Sequence, residues 1–135
     1  MISAEVTVKP QFYDLDPMQV VWHGNYVRFL EQARCALLDK IAFNYEEMSR
    51  TGYIWPVVDM RIKYVRPLRF GQEVKVIATM LEYENRLKIG YRLIDLTSGE
   101  TLTKAHTIQV AVEVATNELC FESPAVLREK VQRLR

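Results

Sequence analysis

Histidine and cysteine are scarce in this chain, with 2 of each among 135 residues. Cys35 and Cys120 stand far apart and in no redox or zinc spacing, so neither a disulfide framework nor a thiolate metal centre is expected. His23 and His106 are too few for a histidine-rich metal site. An excess of one charge is missing too. Lys and Arg number 18 and Asp and Glu 17, a formal net charge of +1, which leaves no overall field to recruit nucleic acid or an anionic membrane. Apolar runs such as that around Val110 to Val112 fall far short of the roughly 20 residues a spanning helix needs, so no membrane insertion is expected. Repeats, low-complexity tracts and linkers rich in Gly, Pro and Ser are absent, which leaves no candidate domain boundary. The opening residues Met1 to Val6 lack the basic-then-apolar pattern of an export signal. One cytoplasmic domain over residues 1–135 is the expectation.

With 49% hydrophobic and 26% charged residues, the chain has the composition of a globular domain able to bury a core. Ile2 to Tyr13 alternates around Val6 and Val8 and predicts a strand, with a break or sheet edge at Pro10. Asp14 to Gln19 is polar, contains Pro17 and reads as a loop. Tyr26, Leu30, Ala33, Leu37 and Ile41 then recur at helical spacing, and Val27, Phe29 and Leu38 widen the stripe until the helix must be covered on several sides. Gly24 and Asn25 are its cap candidates. A short helix is predicted over Tyr45 to Arg50, ending at Thr51 and Gly52.

The second half predicts strands at Ile54 to Val65, Glu73 to Glu84, Arg86 to Leu96 and Glu100 to Val114. Their joints are turn-like, which favours antiparallel hairpins. In the last strand His106, Ile108, Val110, Val112 and Val114 share one face, and Thr107, Gln109, Ala111 and Glu113 the other. Ser123 and Pro124 open a C-terminal helix with Leu127, Val131 and Leu134 at helical spacing. The inventory is α+β: an antiparallel sheet wrapped around one long helix, whose uncovered edge or face is a natural dimer surface.

Chemistry is sought first between Tyr13 and Tyr26. Asp16 lies in a loop ahead of the helix, and Trp22, His23 and Gly24 immediately precede the stripe. The first N–H groups of a helix lack partners and carry partial positive charge, so they can polarise a carbonyl while a nearby carboxylate acts on it directly or through water. The competing reading makes Asp14 or Asp16 a loop or capping residue.

Residues 16–26, Asp-Pro-Met-Gln-Val-Val-Trp-His-Gly-Asn-Tyr, followed by Arg28 to Arg34, resemble the signature of the hotdog-fold acyl-CoA thioesterases, in the branch of 4-hydroxybenzoyl-CoA thioesterase and the YbgC-type enzymes. Ile62 to Gly71 is similar to that family's second recurrent segment. The resemblance implies a hotdog fold whose subunits pair as a homodimer, or a tetramer of two dimers, with active sites at the interface. It implies hydrolysis of acyl-CoA or acyl carrier protein thioesters without a cofactor, coenzyme A being part of the substrate. Asp16 falls on the family's catalytic carboxylate, nucleophile or general base, and His23 on the residue whose main-chain N–H polarises the thioester carbonyl. Asn25 and Tyr26 match the Asn-Tyr that begins the helix. Trp22, Gly24, Tyr64 and Arg66 join them as substrate-binding candidates. Met18 and Gln19 depart from the small residues, commonly Gly, of the YbgC-type pattern, which bears on acyl specificity.

Other residues have simpler readings. Glu31 is expected to pair with Arg28 or Arg34, although another hotdog branch uses a helix glutamate catalytically. His106 is expected to pack or hydrogen-bond at an interface. Lys63, Arg66 and Arg69 are candidates for gripping nucleotide phosphates or are simply solvated. The basic tail from Arg128 to Arg135 is a partner contact or an exposed face. The alternatives to a hydrolase are a non-catalytic hotdog module that binds acyl carriers or scaffolds lipid and envelope complexes, and a hotdog acyl-thioester dehydratase.

Overall fold

The structure, a computed structural model, describes residues 1–134. Arg135, the end of the basic tail, lies outside the described residues. Five strands form one antiparallel sheet: β1 (Ser3–Val8), β3 (Val57–Tyr64), β4 (Val74–Glu82), β5 (Leu87–Asp95) and β6 (Thr101–Gln109), in the order β1-β4-β5-β6-β3. A small second sheet joins β2 (Tyr53–Ile54), β7 (Val112–Glu113) and β8 (Glu118–Leu119). The long helix is α1 (Tyr26–Lys40), followed by α2 (Tyr45–Arg50) and the terminal α3 (Ala125–Gln132). No helix among the described residues is long and apolar enough to cross a membrane.

The helical stripe lands as its spacing requires: Tyr26, Leu30, Ala33, Leu37 and Ile41 are all buried, with Phe29 and Leu38 beside them. α1 packs on β1 and β4. The register puts Val6, Val76, Leu93 and Thr103 in one row across the sheet, and Ala78, Tyr91, Ala105 and Ile62 in the next. Because side chains alternate along a strand, those rows share the face that carries the core. Tyr64 pairs with Thr103, so it extends the first row to the edge strand β3.

Several boundaries differ from the sequence reading. The first strand stops at Val8, and a single 3-10 turn at Phe12–Asp14 replaces its second half. The strand expected from Ile54 to Val65 is two, β2 and β3, interrupted at Trp55 and Pro56, where proline has no N–H for a ladder. The strand expected to run to Val114 ends at Gln109, and β7 belongs to the other sheet. Leu134 lies beyond α3 and is half-exposed, whereas Leu127 and Val131 are buried. Lys130 in the tail is spent internally: its ammonium donates to Ala42 O at 2.8 Å and pairs with Glu47 at 3.4 Å, clamping α3 on the corner between α1 and α2.

The inner face of β6 is polar. Thr103, Thr107 and Gln109 are buried there. Thr107 Oγ1 and the Tyr91 hydroxyl share a hydrogen bond of 2.9 Å, and Gln109 Nε2 donates to Trp55 O at 2.8 Å. Burial, only partly opposed by the bond to Thr107, pushes the Tyr91 phenol up to about 12. An unfolded tyrosine titrates near 10. A raised folded pKa means that the stabilisation is complete below pH 10 and is lost as pH climbs from 10 towards 12. The stability advantage of wild type over Tyr91→Phe should therefore shrink by about 2 kcal/mol between pH 9.5 and 12. Urea unfolding across that range checks it, and an advantage that does not change with pH would contradict the assignment.

Candidate active site

The loop ahead of α1 is held by Asp14. Its buried carboxylate accepts the Gln11 N–H at 2.8 Å and pairs with the Arg28 guanidinium. Its carbonyl accepts the Trp22 N–H at 2.9 Å and the Asn25 side-chain amide at 2.9 Å. Of the two loop aspartates, Asp14 is thus the structural one. Asn25 departs from the cap expectation: its side chain makes no cap bond on α1 but pins the helix start to the loop.

Asp16 sits two residues on, in a tight turn. Asp16 N–H donates to Val20 O and Gln19 N–H to Asp16 O, each at 2.9 Å. Asp16 Oδ1 accepts the Met18 N–H at 2.8 Å, which fixes the carboxylate plane and leaves Oδ2 without a partner in that turn. Gln19 has φ 63°, the left-handed region that glycine enters most easily. This chain holds that turn with a Gln.

Residues His23–Asn25 form a second 3-10 turn that runs straight into α1. Trp22 N–H is taken by Asp14 O, and Asn25 N–H by Trp22 O at 2.8 Å. In a trans peptide N–H and C=O point opposite ways, so the Trp22 carbonyl aimed at Asn25 turns the His23 N–H outward at the N-terminal end. The ring of Trp22 folds over Gly24, where an added Cβ would lie 2.4 Å from a ring carbon. Only glycine leaves room for that ring.

Asp16, His23, Tyr26 and Tyr64 share one cavity of about 200 Å³, with Met18, Val20, Val21 and Pro67 completing its walls. The Tyr26 and Tyr64 rings meet edge to face at 4.7 Å. Tyr64 donates its hydroxyl to His23 O at 3.2 Å, tying β3 to the turn. Tyr26 works in the opposite sense, its hydroxyl accepting the buried Leu68 N–H at 3.0 Å, while Leu68 O accepts the Val21 N–H at 2.8 Å. Burial raises the pKa of both phenols; for Tyr26 the bond from Leu68 opposes the rise, while the neighbouring Tyr64 and Asp16 add to it. Both hydroxyls are neutral in the physiological range.

Other sequence candidates lie elsewhere. Trp22, Gly24 and Asn25 build the turn but do not line the cavity. Arg66 is not brought to it either: its guanidinium pairs with Glu100 at 3.0 Å on the exposed surface. Glu31 pairs with Arg34, Arg28 being taken by Asp14. His106 is half-buried on β6, opposite Arg61 and Gly90. Leu68, whose two main-chain groups close the site, lies in the Ile62 to Gly71 segment but is not among the sequence candidates, because main-chain bonds leave no mark on residue type. Among the described residues no cluster of three or more His, Cys, Asp or Glu could hold a metal ion.

Residues 10–132 match the model of the thioesterase-like superfamily. The chain belongs to that superfamily. It is 30% identical over 132 residues to the protein sll0410 of Synechocystis, named as an esterase, covering 97% of this chain and 80% of that one. It is 33% identical over 108 residues to YneP of Bacillus subtilis, whose name is that of an acyl-CoA thioesterase, covering 78% and 77% of the two chains. Its fold superposes on a DHNA-CoA thioesterase from Staphylococcus aureus with a TM-score of 0.85 at 25% identity, over 99% of this chain and 91% of the other. The sheet and its long helix are thus the hotdog fold, and the chemistry of the superfamily is thioester hydrolysis.

The Leu68 clip makes a direct prediction. Tyr26→Phe leaves a buried N–H without an acceptor and should cost about 2 kcal/mol of stability. Urea unfolding measures this; an unchanged midpoint would show that the hydroxyl does not hold the clip.

Proposed function

We propose that the chain hydrolyses acyl-CoA to free acid and coenzyme A, with Asp16 as the catalytic carboxylate and the His23 main-chain N–H as the oxyanion donor, in a cytoplasmic homodimer. The observation that supports this reading is that Asp16 and His23 line one cavity, His23 lying in the turn that runs into α1. Membership of the thioesterase-like superfamily and the name of YneP support the substrate class.

As general base, Asp16 takes a proton from water, the hydroxide adds to the thioester carbon, and the negative oxygen rests on the His23 N–H. The C–S bond then breaks, the thiol leaves as its sulfur regains the proton, and the acid is released. As nucleophile, Asp16 adds to the carbon itself, expels the thiolate and forms a mixed anhydride that water opens. Both routes use a carboxylate, a main-chain dipole and water. At about 200 Å³ the cavity accommodates the thioester and its adjoining atoms, so a longer acyl group extends beyond it.

Dimerisation is supported by β3, one of the two edge strands of its sheet, whose side chains are largely exposed, among them Val57, Val58 and Met60. An unpaired edge with apolar side chains is a template for a second copy.

Thiol release from short, medium, long-chain and aryl CoA esters, and from an acyl carrier protein ester, tests the assignment. Asp16→Asn should lower kcat about 10³-fold with KM little changed, while the variant sediments as the same dimer. Turnover near wild type would remove Asp16 from the mechanism. Activity confined to the carrier-protein ester would replace coenzyme A as the thiol, and inactivity on every ester would favour an acyl-binding module.

A further inference from the structure

The near-neutral net charge hides a local excess. Side chains alternate along a strand, so the neighbours of Tyr64, Thr103 and Leu93 point away from the core. On that outer face Lys63 stands directly opposite Lys104, and Lys104 directly opposite Arg92, one cation on each of β3, β6 and β5. In the next row Arg61 stands opposite His106. Arg61, Lys63, Arg92 and Lys104 are all exposed. Adjacent strands lie about 5 Å apart, so these four positive charges crowd one patch. No basic run marks it in the sequence, because its members come from three strands.

Like charges directly opposite one another destabilise a sheet. The chain leaves that cost standing. Among the described residues Arg61, Lys63 and Lys104 make no ion pair, and Arg92 donates to Thr101 Oγ1 at 3.0 Å. Basic residues further out are neutralised, Lys75 by Glu5 at 3.6 Å and Arg86 by Glu82 at 2.9 Å. Asp59 is the only acid on β3, against Arg61 and Lys63.

The patch calls for an anion, and its composition selects which. A second copy laid face to face would set cations against cations, whereas one added at the β3 edge extends the sheet in its own plane and leaves this face open. No Phe, Tyr or Trp stands in the two rows, which leaves nucleic-acid bases no such ring to stack on. Stable protein interfaces are built on aromatic and apolar anchors and are poor in lysine. This patch has the opposite character. A fluid layer of anionic headgroups needs no such anchors and is attracted by clustered Lys and Arg alone. We propose that this face seats the protein peripherally on an anionic phospholipid bilayer, with the headgroups over Arg61, Lys63, Arg92 and Lys104. The contact does not rest on hydrolysis at Asp16.

Co-sedimentation of the full chain with vesicles of phosphatidylcholine and phosphatidylglycerol tests this, with phosphatidylcholine alone as the control. Binding is expected only to the anionic vesicles. It should vanish as the Debye length shrinks from about 10 Å at 0.1 M salt to about 3 Å at 1 M. Each charge removed should weaken it roughly fivefold, so Lys104→Gln should keep about one fifth of the wild-type affinity and Lys63→Gln with Lys104→Gln about one twenty-fifth. Arg61→Gln with Lys104→Gln serves the same purpose if the first pair fails to fold. Arg50→Gln, on α2, should bind as wild type does. No binding to anionic vesicles, equal binding to phosphatidylcholine alone, folded glutamine variants that bind as wild type, or an equal loss in Arg50→Gln would overturn the proposal. So would tighter binding of a short DNA duplex or of polyglutamate at the same salt, which would give the face to a nucleic acid or an acidic polypeptide.

Discussion

Burying the carboxylate of Asp14 sets a demand that the neighbouring chain must meet. A carboxylate removed from water is tolerable only when its oxygens are bonded. Here Gln11 and Arg28 supply those bonds, while the carbonyl of the same residue gathers Trp22 and the Asn25 side chain. One residue thereby fixes the strand exit, the first turns of α1 and the return of the loop. Asp16, two residues further, and His23, one residue past Trp22, are carried into a common cavity by these bonds.

The cavity is closed by a second set of main-chain demands. Leu68 is fully buried, and its N–H and C=O need partners. Tyr26 on α1 and Val21 on the loop supply them. The aromatic pair Tyr26 and Tyr64 then joins helix to edge strand at the point where the His23 carbonyl is held. Helix, loop and sheet thus each contribute a fixed group, and the dipole at the start of α1 is oriented before any ligand arrives, the condition under which such a donor is most effective.

How much of this was legible in the sequence depends on the range of each interaction. The α1 stripe from Tyr26 to Ile41 was legible because helical periodicity is local, and the Asp16 to Tyr26 segment because its residues are contiguous. The split at Pro56 was hidden, since a β-rich run reads as one strand until the sheets part. The polar inner face of β6 was hidden as well: Thr107 and Gln109 meet their partners from elsewhere in the chain, Tyr91 on β5 and Trp55 in the break between β2 and β3. The structural part of Asp14 was hidden, because its partner Arg28 lies 14 positions along the chain. The exposed ion pair of Arg66 with Glu100 was not legible either, since the two residues stand far apart in the chain.

The account centres on one geometry, a thioester carbonyl between the Asp16 carboxylate and the His23 main-chain N–H. A crystal structure of the chain with a non-hydrolysable acyl-CoA analogue tests it most directly. The account predicts the analogue's carbonyl oxygen at about 3 Å from the His23 nitrogen, with Asp16 Oδ2 facing the carbonyl carbon directly or through one water. A carbonyl bound away from that turn, with Asp16 out of reach, would contradict it.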